Sequence, residues 1–229
     1  NDPPTLVGMQ ELFNHAIGAT FADFTIKDPR TSTVVLPTTN YGSLVGRAKD
    51  CSFSNISLKS PENSRSEIEG NFGTKEGENV GGLVGLSEGK TSFEKIVVED
   101  IDIQAGSEKN IGLIVGKSEA TFQSTTFKNC AVKNSSIKST GANVNTNVGG
   151  IVGLASGVNI SNDNDESSFE KLIIDVTAQN VGGLVGNCTL TASINSSISK
   201  IQINVRNGAS NVGGVVGTAD TLNMTMRNN

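Results

Sequence analysis

The 229-residue chain holds one histidine, His15, within MQELFNHAIG at 9–18. Any relay of nucleophile, base and acid would have to run through that imidazole, and nothing beside it in the sequence completes one. Three cysteines follow: Cys51, Cys130 and Cys188. Their odd number leaves at least one thiol without a partner in the chain, and their spacing matches neither a zinc pattern nor a redox pair. Carboxylates are the next candidates. Glu99, Asp100 and Asp102 fall together, and Asp163, Asp165 and Glu166 share the run DNDE. Glycoside cleavage needs two acids facing one groove, and nothing in the sequence brings these two groups together. An Asp- and Asn-rich loop could hold Ca²⁺ through oxygen ligands. Neither an EF-hand nor a nonapeptide calcium pattern occurs, so a solvated loop is the simpler reading. No catalytic, cofactor-binding or metal-ligating set is expected.

Composition narrows the classes further. Aromatic residues make up 4% of the chain, with no Trp and a single Tyr, Tyr41, while glycine reaches 26. Such a chain suits short strands and many turns. The net charge is −5 and the basic residues are scattered among acids, as in FEK at 93–95 and again at 169–171. Nucleic-acid binding needs a clustered basic surface, and none is expected. No apolar run approaches the ~20 residues that cross a bilayer. The first residues, NDPPT, lack an initiator Met, so the chain is expected to be processed or part of a longer one.

The elements that position these residues are repeats. Asn40, Asn79, Asn110, Asn147, Asn180 and Asn211 each open a glycine-rich run: NYGSLVG, NVGGLVG, NIGLIVG, NVGGIVG, NVGGLVG and NVGGVVG. The steps between them are 39, 31, 37, 33 and 31 residues. A period of this size marks a stacked repeat. A second signal follows each run, with apolar residues at 0, +3 and +5. The sets are Phe21, Phe24, Ile26; Phe53, Ile56, Leu58; Phe93, Ile96, Val98; Phe127, Cys130, Val132; Phe169, Leu172, Ile174; and Ile198, Ile201, Ile203. The +3/+5 step is a half-buried strand, and the extra residue before it predicts a bend or bulge. Third strands are predicted at EDIDIQ (99–104) and SSIKS (135–139). Propeller blades need more residues per repeat.

The fold class expected is therefore all-β: a parallel β-solenoid, or β-helix, of about six to seven coils. Coil lengths run from 31 to 39 residues, and polar insertions at 60–78 and 155–168 account for the longer ones. Residues 1–18 are expected to form a linker and a short helical cap, with Met9, Leu12, Phe13 and Ala16 on one face around His15. Residues 19–229 form the solenoid. Stacking puts the six Asn in one column, where carboxamides bond up and down. Asn also tolerates a left-handed turn, and the glycines allow positive φ or close approach. A dinucleotide loop is not the reading, because the spacing is not G-x-G-x-x-G and no helix follows.

The cores at 81–85, 149–153, 182–186 and 213–217 resemble the GLUG motif. It recurs in bacterial surface adhesins, in the streptococcal IgA-specific metallopeptidase group and in surface proteins of other microbes. The resemblance spans roughly 40–217; Ser43 and Leu113 replace the second glycine in two copies, which are expected to bend or pack differently. It implies an extracellular, cell-surface β-solenoid. It brings no catalytic site, since the peptidase chemistry of that group lies outside these repeats and no HExxH occurs here.

The functional expectation is a non-enzymatic extracellular adhesin or rigid stalk, with any adhesive contact in the two insertions. One alternative is a subunit that stacks head to tail through open solenoid ends into a filament. The other is a solenoid carbohydrate-active enzyme. Expected partners are adjacent repeats or other copies, and a host or surface protein or glycan, without nucleic acid or membrane insertion. An ice-binding array would show a Thr ladder, and the +1, +2 and +4 positions show none. Sequons of the N-x-S/T type stand at Asn55, Asn134, Asn159, Asn187, Asn195 and Asn223, compatible with a secreted glycoprotein. Cys130, at an inward position, reads as a buried thiol, and the pairing of Cys51 and Cys188 stays open.

Overall fold

The structure, a computed structural model, describes residues 4–7, 11–29, 39–69, 78–106, 108–120, 124–139, 145–163, 168–206 and 209–227. It is a parallel β-solenoid. Among the described residues there is no helix, and neighbouring strands pair in parallel within three sheets of 15, six and five strands. One coil shows the plan. Asn79–Gly81 belongs to the six-stranded sheet, and the chain turns through Gly82 and Leu83 into Val84–Glu88. It then runs on as Ser92–Glu99 and closes with Ile101–Ala105 in the five-stranded sheet. Val84–Glu88 and Ser92–Glu99 lie on two arms of the large sheet, which the 15-residue strand Val185–Ser199 joins. The Asn column marks six coil starts, with five complete turns between Asn40 and Asn211.

Alternation sends one side chain in two to the interior. Phe21, Phe53, Phe93 and Phe127 stack coil on coil with ring centroids 5.1, 5.0 and 4.9 Å apart. That spacing is set by the strands themselves, ~4.8 Å apart in the hydrogen-bonding direction. Ile160, Ile194 and Met224 continue the column. A second core column, Leu44, Leu83, Ile114, Ile151 and Leu184, is fully buried at the turns of the first five glycine-rich runs, and Val215 in the sixth is partly buried. Even this turn is laddered: Leu83 N–H donates to Ile114 O, Ile114 N–H to Ile151 O and Leu184 N–H to Val215 O, at 3.1, 3.1 and 2.8 Å. The copies carrying Ser43 and Leu113 keep the same register. Both side chains are fully buried, at a position where the other copies have glycine, and the strand register on either side of them is unchanged.

The corners use left-handed residues. At the extra position after the Phe column stand Asp23, Asn55, Lys95 and Asn129, with φ of 62°, 52°, 53° and 52°. One strand later come Asp28, Asp100, Asn134, Lys171 and Lys200, with φ of 58°, 59°, 45°, 51° and 55°. Most are Asp or Asn, which accept this conformation at least cost. The column asparagines of the glycine-rich runs are not among the left-handed residues; their role is in the ladder.

Four expectations change. The helical cap is replaced by strand Phe13–Ile17, which pairs with Val45–Lys49 and sets His15 beside Arg47. The open edge there offers backbone partners, with Phe13 N–H donating to Leu44 O at 2.9 Å and Gly18 N–H to Lys49 O at 2.9 Å. That edge outweighs a weak helical pattern. Met9 lies outside the described residues. Second, Phe169 pairs with Val132 and Ile198 rather than with Phe127, while Ile174 and Ile203 lie in the five-stranded sheet beside Ile137. The last two apolar sets are thus one corner further on. Both corners share a local pattern, apolar at 0, +3 and +5 around a left-handed residue; Val98, Ile101 and Ile103 obey it too. Third, the 155–168 insertion contains a core strand, Val158–Ser161, paired with Thr125–Lys128. Fourth, the 60–78 insertion contains Ser66–Glu69, an edge strand of the five-stranded sheet.

Candidate functional site

The sequence repeats most strictly in the asparagine column. Asn79 Nδ2 donates to Asn40 Oδ1 at 2.6 Å, Asn110 to Asn79 at 2.7 Å and Asn147 to Asn110 at 2.7 Å. Asn180 then donates to Asn147 at 2.8 Å and Asn211 to Asn180 at 2.7 Å. The three central amides are 2–6% exposed. One donor and one acceptor per layer therefore run unbroken along the rod, a low-dielectric setting in which each bond supports the next.

The glycines make that column sit close to its neighbours. A Cβ on Gly81 would lie 1.9 Å from Val84 O, and one on Gly85 would lie 2.6 Å from Tyr41 N of the preceding coil. Close backbone approach, rather than positive φ, is the reason for glycine in these runs. The two short strands of each run meet backbone to backbone, leaving no room for a ligand between them.

The candidate acids are taken up in structural bonds. Asp102 accepts from Arg65 Nε and Nη2, each at 2.6 Å, and from the Ser136 hydroxyl as well. Burial opposes its charge, but Arg65 and Ser136 prevail and hold its pKa below the usual carboxylate value. Glu99 pairs with Lys59 at 3.1 Å, and Asp100 sits at a left-handed corner and accepts from Asn134 Nδ2. Glu99 and Asp100 do border an open groove of about 470 Å³, together with Lys27, Lys59 and Glu62. Asp163 is exposed, and its backbone N–H donates to Asn129 Oδ1 at 2.8 Å. Asp165 and Glu166 lie outside the described residues. Among the described residues, no group of three or more His, Cys, Asp or Glu gathers as a metal site.

One acid does something the sequence did not signal. Glu108 stands two residues before Asn110, 1% exposed, in the layer next to the fully buried Asn145. Burial raises its pKa to about 7, with the N–H groups of Glu108 and Gly106 working against the shift. Asn145 Nδ2 donates to the Glu108 and Gly106 carbonyls at 2.7 and 3.2 Å, while Asn145 Oδ1 has no partner. The inward alternation counted from Asn110 would have found it.

All three cysteines are free and buried. Cys130 is wholly enclosed, and burial pushes its thiol up to about 12. The sequon residues Asn55, Asn134, Asn159 and Asn223 are exposed, and Asn187 and Asn195 are partly so. The outer face of the Phe arm carries a column that sequence reasoning overlooked: Thr20, Ser52, Ser92, Thr126, Asn159, Ser193 and Asn223. It precedes the Phe column by one residue, and the misplaced Phe169 set concealed its continuation.

Comparison with protein-family models, with characterised proteins and with solved structures finds no match to this chain.

Proposed function

We propose that the chain is a non-enzymatic, extracellular repeat protein of a cell surface, serving as a rigid stalk or adhesive face. The observation that carries this reading is the use of the polar groups. Amides, left-handed Asp and Asn, and ion pairs are spent joining one coil to the next: Arg47 to Glu88, Lys59 to Glu99, Lys109 to Glu78, Arg206 to Asp175. Length and stiffness are what such an arrangement delivers. The resemblance of the glycine-rich cores to GLUG repeats supports the surface location, and exposed sequons suit it. Adhesion would use the outer faces and the insertions at 60–78 and 155–168, outside the strands Ser66–Glu69 and Val158–Ser161.

The test is protease shaving of intact cells of the source organism, followed by blotting for this chain. Loss of the chain without cell lysis is the expected result. Full protection in intact cells, with digestion only after lysis, would overturn the surface assignment.

A further inference from the structure

The large side chains left in solvent are mostly at the two ends of the rod. Val7, Phe13 and Ile17 are 64, 43 and 65% exposed at one end, and Val212, Leu222, Met224 and Met226 are 53, 47, 48 and 38% exposed at the other. Only Ile173 and Leu190 are comparably exposed elsewhere among the described residues. At the first end, among the described residues, strand Phe13–Ile17 is hydrogen-bonded on one side only, and Thr20–Lys27 meets Thr5–Val7 only at its last three residues. At the second end, Val216–Arg227 pairs with Val185–Ser199 and has a free outer edge among the described residues. Uncapped parallel edges of this kind accept another strand.

The two edges match. Phe13 begins the column Val45, Val84, Val115, Val152, Val185, and Val216 ends it. Ala16 and Ala219 likewise begin and end one column, through Ala48, Ser87, Ser118, Ala155 and Cys188. Phe21 begins the Phe column and Met224 ends it. A second copy set on the last coil at the register of every other layer therefore places Phe13 over Val216, Ala16 over Ala219 and Phe21 over Met224. All three contacts are apolar on apolar, and the edge backbone groups of Phe13–Ile17 and of residues 20–24 face those of Val216–Arg227, while Thr5–Val7 already fills the edge of residues 25–27. We propose that the last coil of one copy of this chain pairs with the first coil of a second copy, head to tail, as the next layer of the solenoid. Such a contact is heterologous: each copy keeps one free end, so the assembly grows as a filament rather than closing as a dimer. Coils of a longer polypeptide would fill the same edges by the same rule. The partner proposed is a second copy, because both halves of the match are present in one chain.

Two single-end variants test this in the 229-residue chain. Phe13→Asp places a charge in the first edge and Leu222→Asp places one in the last, both at exposed positions that leave the enclosed core untouched. Light scattering after size exclusion, with negative-stain microscopy, should show concentration-dependent masses in whole multiples of one chain for the unaltered protein. Each variant alone should be monomeric with an unchanged circular dichroism spectrum. An equimolar mixture of the two should give a particle of two chains and nothing longer, since only one good edge of each kind remains. A monomer at every concentration would overturn the proposal. So would oligomers that survive both substitutions, which would mean sideways association. Separate monomers in the mixture, with each variant folded and the unaltered chain still assembling, would also overturn it.

Discussion

Replacing Asn110 by Ala tests what the amide column contributes. The change removes two hydrogen bonds of 2.7 Å, one to Asn79 Oδ1 and one from Asn147 Nδ2. Each bond alone is worth about 1 kcal/mol net. The groups left behind matter more. Asn79 and Asn147 are 2% and 3% exposed, so an acceptor and a donor would remain buried without partners, at about 1–3 kcal/mol each. The expected loss is about 3 kcal/mol, taking lost bonds and desolvated groups as one cost rather than two. In a chain of this size that lowers the melting temperature by about 6–12 °C. Asn211→Ala is the control. It removes one bond, Asn211 is exposed, and the acceptor at Asn180 is partly open to water. Its loss should stay under about 1 kcal/mol. Thermal and urea unfolding followed by far-ultraviolet circular dichroism measure both. End coils of a stacked array can melt first, so amide exchange at Ile111 and Val148 should accompany the melts. Equal losses for the two variants, or a loss under about 1 kcal/mol at Asn110, would refute the reasoning that the ladder is cooperative and dry.

Three further outcomes follow from the same packing. Gly183→Ala puts a Cβ 2.1 Å from Gly214 O, whereas a Cβ on Gly214 meets nothing within 4 Å; the first should destabilise by about 3 kcal/mol and the second by less than about 1, as denaturation midpoints will report. Glu108 has a folded pKa of about 7, above the ordinary ~4.3 of the unfolded chain. The folded state holds the proton more tightly, so its contribution is fully present below about pH 4 and is lost as pH rises through 7. About 4 kcal/mol should disappear over that window, and Glu108→Gln should flatten this part of the stability–pH curve. The thiol of Cys130, raised to about 12 by burial, should resist alkylation in the native protein and react once urea unfolds it.

The fold could be read in advance because stacking repeats the same constraint at every layer. One inward apolar position proves little, but Asn-x-Gly-x followed by two apolar residues and Gly, recurring along the chain, leaves few ways to bury them. What stayed hidden was whatever the local pattern does not distinguish. Phe169-Glu170-Lys171-Leu172 and Phe127-Lys128-Asn129-Cys130 look alike in sequence yet sit at different corners. Only the pairing of Val158–Ser161, a strand with no Phe, separates them. The strand at Phe13–Ile17 was hidden for a different reason: its stability comes from the edge of Val45–Lys49, not from its own residues. On the chemical side, the acids near Asp102 looked like candidates because sequence shows their clustering but not Arg65 and Ser136, which bind Asp102. Glu108, a lone acid in a polar segment, carries no signal of its own; only its place two residues before the inward Asn110 marks it.

The account rests on rigid stacking of successive coils, and one distance measures it most directly. Spin labels at Ser52 and Asn223, on the outer column of the Phe arm, are separated by five layers. At ~4.8 Å per layer the backbones lie about 24 Å apart. The native cysteines are buried and stay unlabelled under native conditions. Double electron–electron resonance should give one narrow distribution near that distance, widened only by the label arms. A broad distribution, or a mean beyond about 40 Å, far outside five strand spacings, would contradict the stacked rod and every functional reading built on it.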